Sequence, residues 1–274
     1  MERNFKRFNV RREKVTKRYE NERAMPFSKE QMTYLTNDKC SLLSMKDTQI
    51  EMAGGINKVQ AKEEDLYEMN GGTTIAIIVD NKLIIAADTR HSGDYNINSR
   101  YSSKIHKIKD FYFTCVGFQA DGEEVYKKLL YNVKKHEQYG EINIKSTAKL
   151  LSNILYSRRF FPYYSYCVLA GYLINDKGEK EAKIYSYDVV GSYGSSMCQV
   201  EGSGAPMIQP LLDSWIDGKN FYNFSSISFE NAIKLIKAAF NSAAETDVKT
   251  GDYLELIIDD GLEQTKELHE LRKD

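Results

Sequence analysis

The stretch from Asn70 to Arg90, NGGTTIAIIVDNKLIIAADTR, constrains the fold more than any other part of the sequence. Two short apolar runs, TTIAIIV and KLIIAAD, are separated by only two polar residues, Asp80 and Asn81. Runs rich in β-branched residues that flank a two-residue turn predict an antiparallel β-hairpin. The chain is therefore expected to build at least part of its core from antiparallel sheet.

The order of elements after this hairpin indicates how the sheets are covered. KIHKIKD and FYFTCVGF predict a second pair of strands, and two helical patterns follow, the first with Asp121 as its expected N-cap. Three more strands, two more helices and a closing strand, YLELIIDDG, complete the series. This order lacks the strand–helix–strand alternation of a parallel sheet. It predicts an α+β protein, a four-layer α-β-β-α sandwich of two antiparallel sheets.

The character of the sequence changes near Asn70. Residues 1–70 are polar and weakly periodic, whereas residues 71–274 are dense in apolar patterns, so we place an N-terminal extension before one globular domain. The net charge is −1, but residues 1–30 hold ten Lys or Arg against five Glu. Such a stretch is typical of a solvated, poorly ordered arm, and a nucleic-acid-binding patch is the alternative. A transit peptide is disfavoured because acidic residues are present and serine is scarce.

Composition argues against several other classes of protein. No apolar run approaches the roughly 18 residues of a membrane helix, so a soluble protein outside the secretory pathway is expected. The cysteines show no CxxC spacing, which favours reduced thiols in a reducing compartment. No histidine stands at ligand spacing to them, so neither a metal nor a cofactor is expected. The four cysteines are Cys40, Cys115, Cys167 and Cys198.

The glycines in front of Thr73 and Thr74 raise the question of threonine chemistry. A threonine freed at the start of a strand uses its hydroxyl as the nucleophile and its own α-amine as the base. A buried lysine would stabilise the developing charge, an aspartate would hold that lysine, and a backbone N–H beside a glycine would bind the oxyanion. Taken singly, such residues are commonly turn or surface residues. The candidates for these supporting parts are Asp88, Lys104, Gly117, Ser203, Asp247 and Thr250.

From Gly71 onward the chain resembles the proteasome beta subunits, which belong to the N-terminal nucleophile hydrolase superfamily. The resemblance rests on TTIAI followed by IIAADTR, on the strand of Lys104, and on GSGA and DVKTGD. Longer segments, ILYSRRFFPYY, YSYDVVGSY, MIQPLLD and LRKD, are similar to one subgroup, the non-catalytic beta type-1 subunits at the sixth position of the beta ring. The loop CVGFQAD around Gly117 is one residue shorter than in the family. The resemblance implies the same four-layer fold.

The resemblance also places the nucleophile. In catalytic beta subunits the threonine stands sixteen residues before the aspartate and thirty-two before the lysine, and Asp88 and Lys104 then both point to Gly72. Thr73, one residue later, would direct its hydroxyl to the opposite face of the strand, and Thr74 lies too deep to offer a free amine. Because glycine carries no hydroxyl, the resemblance implies a site that cannot perform acyl transfer.

The other matching residues then need structural roles. Asp88 and Lys104 are expected to form a buried ion pair, because removing one partner of such a pair is costly. Ser203, Asp247 and Thr250 are expected to fix turns through hydrogen bonds between side chain and backbone.

A subunit without a nucleophile acts through its surfaces. The resemblance implies a place in a heptameric beta ring of a four-ring particle, with other proteasome alpha and beta subunits as partners. It implies location in the cytoplasm and nucleus, and no binding to nucleic acid or membranes. Without an autocatalytic threonine, any trimming of the propeptide-like extension has to come from active neighbours. The segment SRRFFPYYSY clusters arginine with aromatic residues, which favours an interface, although core packing is the alternative.

Two other functions stay open at this point. One is an active threonine hydrolase that uses Thr73 after cleavage at Gly72. The other is a separate globular protein whose basic arm binds nucleic acid, with an affinity that falls steeply with salt.

Overall fold

The computed structural model describes residues 67–175, 177–218 and 227–273. The interpretations that concern residues 1–66, including the basic arm and Cys40, lie outside the described residues. Of the expected extension, the structure therefore shows only residues 67–70.

The predicted hairpin forms and lies at the centre of the first sheet. Strand β1 (Thr73–Val79) pairs antiparallel with strand β2 (Lys82–Asp88). Asp80 and Asn81 close the turn with φ of +51° and +58°, the left-handed region that a type I′ hairpin turn requires and that these residue types tolerate. Three further strands, β10 (Cys198–Gly202), β11 (Tyr253–Asp259) and β12 (Gln264–Glu270), complete an antiparallel sheet in the order β10-β1-β2-β11-β12.

The second sheet also has five strands, and all its pairings are antiparallel. In spatial order, which is also chain order, the strands are β5 (Ile105–Ile108), β6 (Phe111–Gly117), β7 (Ser165–Ile174), β8 (Lys180–Tyr187) and β9 (Tyr193–Ser195). A short two-stranded unit, β3 (His91–Ser92) and β4 (Ile97–Ser99), lies between β2 and β5 in the chain.

Four helices fall into two pairs along the chain. Helices α1 (Gln119–Glu137) and α2 (Ile144–Tyr156) connect β6 to β7, and α3 (Ala205–Trp215) and α4 (Phe229–Thr246) connect β10 to β11. Within the described ranges, none of these helices is both long and apolar enough to cross a membrane.

Alternate side chains of each strand pack in different layers. On β1, Ile75 and Ile77 belong to a buried cluster with α3 and α4, whereas Ala76 and Ile78 belong to a cluster between the two sheets. A third cluster joins the second sheet to α1 and α2. Successive side chains of a strand point to opposite faces of its sheet. The three clusters therefore describe two sheets that pack face to face, with helices covering their outer faces. The predicted α-β-β-α sandwich is confirmed.

Several local features differ from the expectations. The first helix begins at Gln119, and Asp121 is not its N-cap, because its carboxylate instead accepts a hydrogen bond from the Tyr164 N–H (2.9 Å). One of the three strands expected between the helix pairs, EAKIYSYDVVGSY, is not continuous, since it breaks at a turn where Gly191 has φ of +85°. Strands β3, β4 and β12 were not expected, and β12 is almost entirely exposed, so it lacks the apolar alternation that marks a strand.

Candidate functional site

Gly72 lies directly before β1, where the family pattern places the nucleophile. Its φ is +87°. A Cβ built on it would lie 2.1 Å from Cε of Lys104 and 3.0 Å from Oδ1 of Asp88. Two nonbonded carbons prefer a separation of roughly 3.5 Å or more. With Lys104 in this position, a side chain at residue 72 would overlap the end of the lysine side chain.

Asp88 and Lys104 form the expected ion pair. The Lys104 Nζ lies 3.2 Å from Asp88 Oδ1, and it donates to the backbone oxygens of Asp88 (2.8 Å) and Arg90 (2.7 Å). A lysine ammonium has three donors, so all of them are engaged within the fold. Both residues are buried. Burial raises the pKa of the Asp88 carboxyl, and the Lys104 ammonium is the strongest of the influences that oppose this rise.

The carboxylate of Asp88 also organises the backbone around it. Its Oδ1 accepts from the N–H of Thr73 (2.7 Å), and its Oδ2 accepts from the N–H groups of Arg90 (3.2 Å) and Gly251 (3.2 Å). Hydrogen bonds stabilise the negative charge of a buried carboxylate. Asp88 therefore connects the start of β1, the segment after β2 and the segment before β11.

Thr73 directs its hydroxyl away from the ion pair. Its Oγ1 accepts from the N–H of Gly204 (2.9 Å) and lies 2.8 Å from Thr250 Oγ1. The Thr250 hydroxyl donates to Oδ2 of Asp247 (2.6 Å), so Thr73 is the donor in its contact with Thr250. The Thr73 side chain is fully buried. A hydroxyl in this position has neither the free amine nor the access that an acyl-transfer nucleophile needs.

Thr74 faces the other sheet. It is buried, and its Oγ1 accepts from Thr114 Oγ1 at 3.4 Å across the space between the sheets. It therefore has no route to a substrate.

The remaining predicted residues have different hydrogen-bond partners. Ser203 donates from its backbone N–H (3.0 Å) and its hydroxyl (3.4 Å) to the Gly72 carbonyl. Asp247 accepts from the Lys249 N–H (3.1 Å), as a turn-fixing residue does. The prediction that the Thr250 hydroxyl binds the backbone is wrong, because this hydroxyl binds the side chains of Thr73 and Asp247.

Gly117 ends β6 beside this site. Its φ is +119°, and a Cβ there would lie 2.6 Å from the backbone oxygen of Tyr164. Its carbonyl accepts from the N–H of Asn70 (3.0 Å). Gly117 thus contacts the chain that precedes Gly72.

A network that the sequence analysis missed lies behind Asp88. Arg90 binds Asp252 through Nε (2.9 Å), and Nη2 donates to the carbonyl of Arg272 (3.1 Å) near the end of the chain. Arg100 forms a second ion pair with Asp252. Arg90 ends the motif IIAADTR and Asp252 ends the motif DVKTGD. Nothing in the sequence indicates that two residues so far apart in the chain form a pair. Their effect is to attach the C-terminal segment to the loops that hold the ion pair.

The three cysteines of the described part, Cys115, Cys167 and Cys198, are free thiols. Burial raises the pKa of Cys167 to about 12 and also raises that of Cys115. Since the thiolate is the nucleophilic form, these two side chains are inert at neutral pH.

The sequence matches known proteins across most of its length. The family described as Proteasome subunit matches residues 68–258. Probable proteasome subunit beta type-6 of Encephalitozoon cuniculi (strain GB-M1) is 49% identical over 223 residues, which are 80% of this chain and 75% of that protein. Proteasome subunit beta type-6 of Saccharomyces cerevisiae is 36% identical over 224 residues, 76% of this chain and 90% of that protein. Proteasome subunit beta type-1 of Arabidopsis thaliana is 40% identical over 220 residues, 76% of this chain and 96% of that protein.

The relatives carry the names beta type-1 and beta type-6, which agree with the subgroup that the motifs indicated. The two antiparallel sheets with their helix pairs are the fold that this resemblance implied. The chain belongs to the proteasome subunit family, and within that family to the beta subunits.

Proposed function

We propose that this chain is a non-catalytic beta subunit of the proteasome core particle, which contributes to ring assembly and to the wall of the proteolytic chamber. The observation that carries the proposal is the residue at the nucleophile position. Gly72 has no hydroxyl, and the place of a side chain there is occupied by Lys104. Supporting groups around a missing nucleophile cannot restore acyl transfer.

The alternative nucleophile, Thr73, has little support. Its N–H donates to Asp88 and its hydroxyl is enclosed by Gly204 and Thr250. Use of Thr73 would require cleavage before it, rotation of the strand and rupture of these buried hydrogen bonds. Each buried hydrogen bond that is left unpaired costs roughly 1–3 kcal/mol.

The partners of the proposed subunit are other proteasome alpha and beta subunits in a four-ring particle. The names of the relatives support membership of such an assembly. In this proposal residues 1–70 are a propeptide-like extension, any trimming of which is done by active neighbours, and residues 71–274 are the beta-type domain. The particle would act in ubiquitin-dependent protein degradation in the cytoplasm and nucleus.

Covalent labelling and intact mass test the proposal together. The particle is purified through a tag on this chain, treated with a threonine-directed epoxyketone, and its subunits are weighed by mass spectrometry. We expect adducts on catalytic neighbours, which serve as the positive control, and no adduct on this chain. Its first residue is expected upstream of Gly72. An adduct on a chain that begins at Thr73 would contradict the proposal, as would recovery of the chain outside any large particle.

A further inference from the structure

A cavity of about 810 Å³ lies between β10 and α3, and Gly72 lines it whereas Lys104 does not. Small-molecule sites measure roughly 300–1,000 Å³, so this cavity has the size of a ligand site. Among the described residues that line it, the charged side chains are two carboxylates, Glu201 and Asp213, and one ammonium, Lys249. The excess of carboxylates gives the cavity a negative character.

Glu201 lacks a cationic partner in the part of the chain that the structure describes. Its Oε1 accepts a hydrogen bond from Gln199 Nε2 (2.9 Å). Burial raises the pKa of Glu201 to about 7, and among the described groups only this hydrogen bond opposes the rise. A partly buried carboxylate that no cation accompanies is costly to ionise, so a positive group that entered the cavity would be stabilised beside it.

Helix α3 brings two more acceptors to the same wall. Asp213 Oδ1 accepts from Gln209 Nε2 (2.9 Å), which holds this second carboxylate in place. Pro210 stands inside the helix and has no N–H, so the carbonyl of Pro206 lacks the partner that it would have in an uninterrupted helix. Both prolines line the cavity. The helix therefore contributes a carboxylate and a backbone carbonyl oxygen.

Most donors on the wall bind other parts of the protein. Lys249 Nζ donates to the Met69 carbonyl (2.7 Å), and the Ser203 hydroxyl donates to the Gly72 carbonyl (3.4 Å). The two glutamine amides donate to the two carboxylates. The wall therefore offers mainly acceptor oxygens. A ligand that suits them carries a positive charge and several N–H donors.

The rest of the wall suits a methylene chain. Pro206 and Pro210 lie one helical turn apart on α3, and Val116 and Tyr166 also line the cavity. Methylene groups gain free energy when they bury apolar area against such side chains. A hydrated metal ion would gain nothing from this surface, whereas a long amine buries its carbon chain and keeps its charged end among the oxygens.

We propose that this cavity binds a primary alkylammonium group, which donates to Glu201 and Asp213 while its methylene chain lies against Pro206 and Pro210. The ammonium supplies the positive charge that Glu201 lacks, and charge-assisted hydrogen bonds are the stronger ones. Such a group occurs on free polyamines and on the lysine side chains of peptides. Binding needs no nucleophile, so this site goes beyond the structural role proposed above.

Hydrogen exchange measured by mass spectrometry tests this proposal. The chain is purified through a tag within whatever assembly holds it, and any threonine sites of that assembly are blocked with an epoxyketone. Exchange is followed in peptides that cover residues 198–213, at a pH above the pKa of Glu201. Spermidine and N-acetyl-lysine methylamide are titrated separately. N-acetyl-norleucine methylamide, which has the same carbon chain without the ammonium, is the control ligand.

We expect saturable protection of residues 198–213 by at least one of the two amines and not by the norleucine derivative, because a bound ligand stabilises the segment that it contacts. Glu201→Gln keeps the shape of the side chain and removes its charge, so the affinity should fall by about tenfold or more. Glu263→Gln, at an exposed position outside the cavity, is the matched control and should bind like the wild type.

The outcomes separate the source of the amine from the existence of the site. Protection by spermidine alone identifies a free polyamine, and protection by the lysine derivative identifies a peptide side chain. Equal protection by the lysine and norleucine derivatives overturns the proposal, as does the absence of protection by both amines or an unchanged affinity in Glu201→Gln. The comparison of ligands on the wild type decides even where Glu201→Gln fails to assemble. None of these outcomes depends on whether the chain is catalytic.

Discussion

Lys104 shows how one buried cation organises the residues around Gly72. Its ammonium binds Asp88 and the carbonyl of Arg90, and its stem fills the space beside a glycine. In a catalytic site a lysine at this position would interact with a nucleophile. Here its donors are satisfied by the protein, so the same residue acts as a structural link between β2, β3 and β5.

Lys104→Met should therefore destabilise the fold. It leaves the buried Asp88 carboxylate without its partner, and breaking such a pair costs about 3–5 kcal/mol. Urea unfolding of the purified chain measures the change, with Lys127→Met, whose side chain is 68% exposed, as the control. The double variant Lys104→Met with Asp88→Asn should lose less than the sum of the two single variants. Strict additivity would show that the two side chains are not coupled.

Gly72 should tolerate substitution less well than a glycine in open space. Gly72→Ala and Gly178→Ala both place Cβ at positive φ (+87° and +79°). Only the first adds a clash with Lys104, because nothing lies within 4 Å of a Cβ on Gly178. We expect Gly72→Ala to cost about 1–3 kcal/mol more in the free energy of unfolding. Equal losses in the two variants would show that Lys104 moves aside freely.

Most elements could be predicted where the pattern is local. The β1–β2 hairpin and the helices have strong periodicity, and their existence was confirmed. The failures involve partners distant in sequence. Asp121 is not the N-cap of α1, because its carboxylate accepts a hydrogen bond from Tyr164. Strand β12 was missed because it has no apolar face and is a strand through its pairing with β11. Asn70 was missed because its hydrogen-bond partners, Ser92, Gly117 and Gln119, come from three separate elements.

The segment after β12 is an element whose packing can be tested directly. Leu271 is 7% exposed and packs in the cluster with α3 and α4, whereas Leu262, in the turn before β12, is 90% exposed. Leu271→Ala should cost about 2–4 kcal/mol, because it leaves a cavity. Leu262→Ala should stay within about 0.5 kcal/mol. Urea unfolding compares the two, and equal stability would mean that the C-terminal segment is not docked in solution.

Strand β10 carries a carboxylate that makes stability depend on pH. Burial raises the pKa of Glu201 from 4.5 to about 7, opposed by a hydrogen bond from Gln199. Between these two values the folded state binds more protons than the unfolded chain, so this contribution to stability is lost as pH rises from 4.5 to about 7. Glu201→Gln should make the melting temperature less dependent on pH in this window. Glu263→Gln, at an exposed position, should leave the pH dependence unchanged. An unchanged pH profile in Glu201→Gln would contradict this assignment.

At the scale of the whole molecule, the aromatic residues that follow α2 divide into a buried part and an exposed part. Tyr163 is buried, while Phe160 is 93% exposed and Phe161 is 40% exposed. The core-packing alternative therefore holds for Tyr163, whereas the interface stays a prediction that concerns the outward-facing side chains. Arg159 lies over Phe160, with its guanidinium carbon 5.4 Å from the ring centroid. Exposed aromatic and arginine side chains together are typical of the central residues of protein interfaces.

Phe160→Ser should lower incorporation into the proteasome particle without lowering the stability of the chain. An exposed side chain adds little to folding, so the free energy of unfolding should change by less than about 0.5 kcal/mol. The interface would lose a large apolar contact that is buried only on assembly. Tyr95→Ser is the control, because Tyr95 is as exposed (102%) but has no arginine stacked on it among the described contacts. The tagged variant and the untagged wild-type chain are co-expressed, and native mass spectrometry measures their relative incorporation. Incorporation of Phe160→Ser equal to that of the wild type would place the interface elsewhere on the subunit.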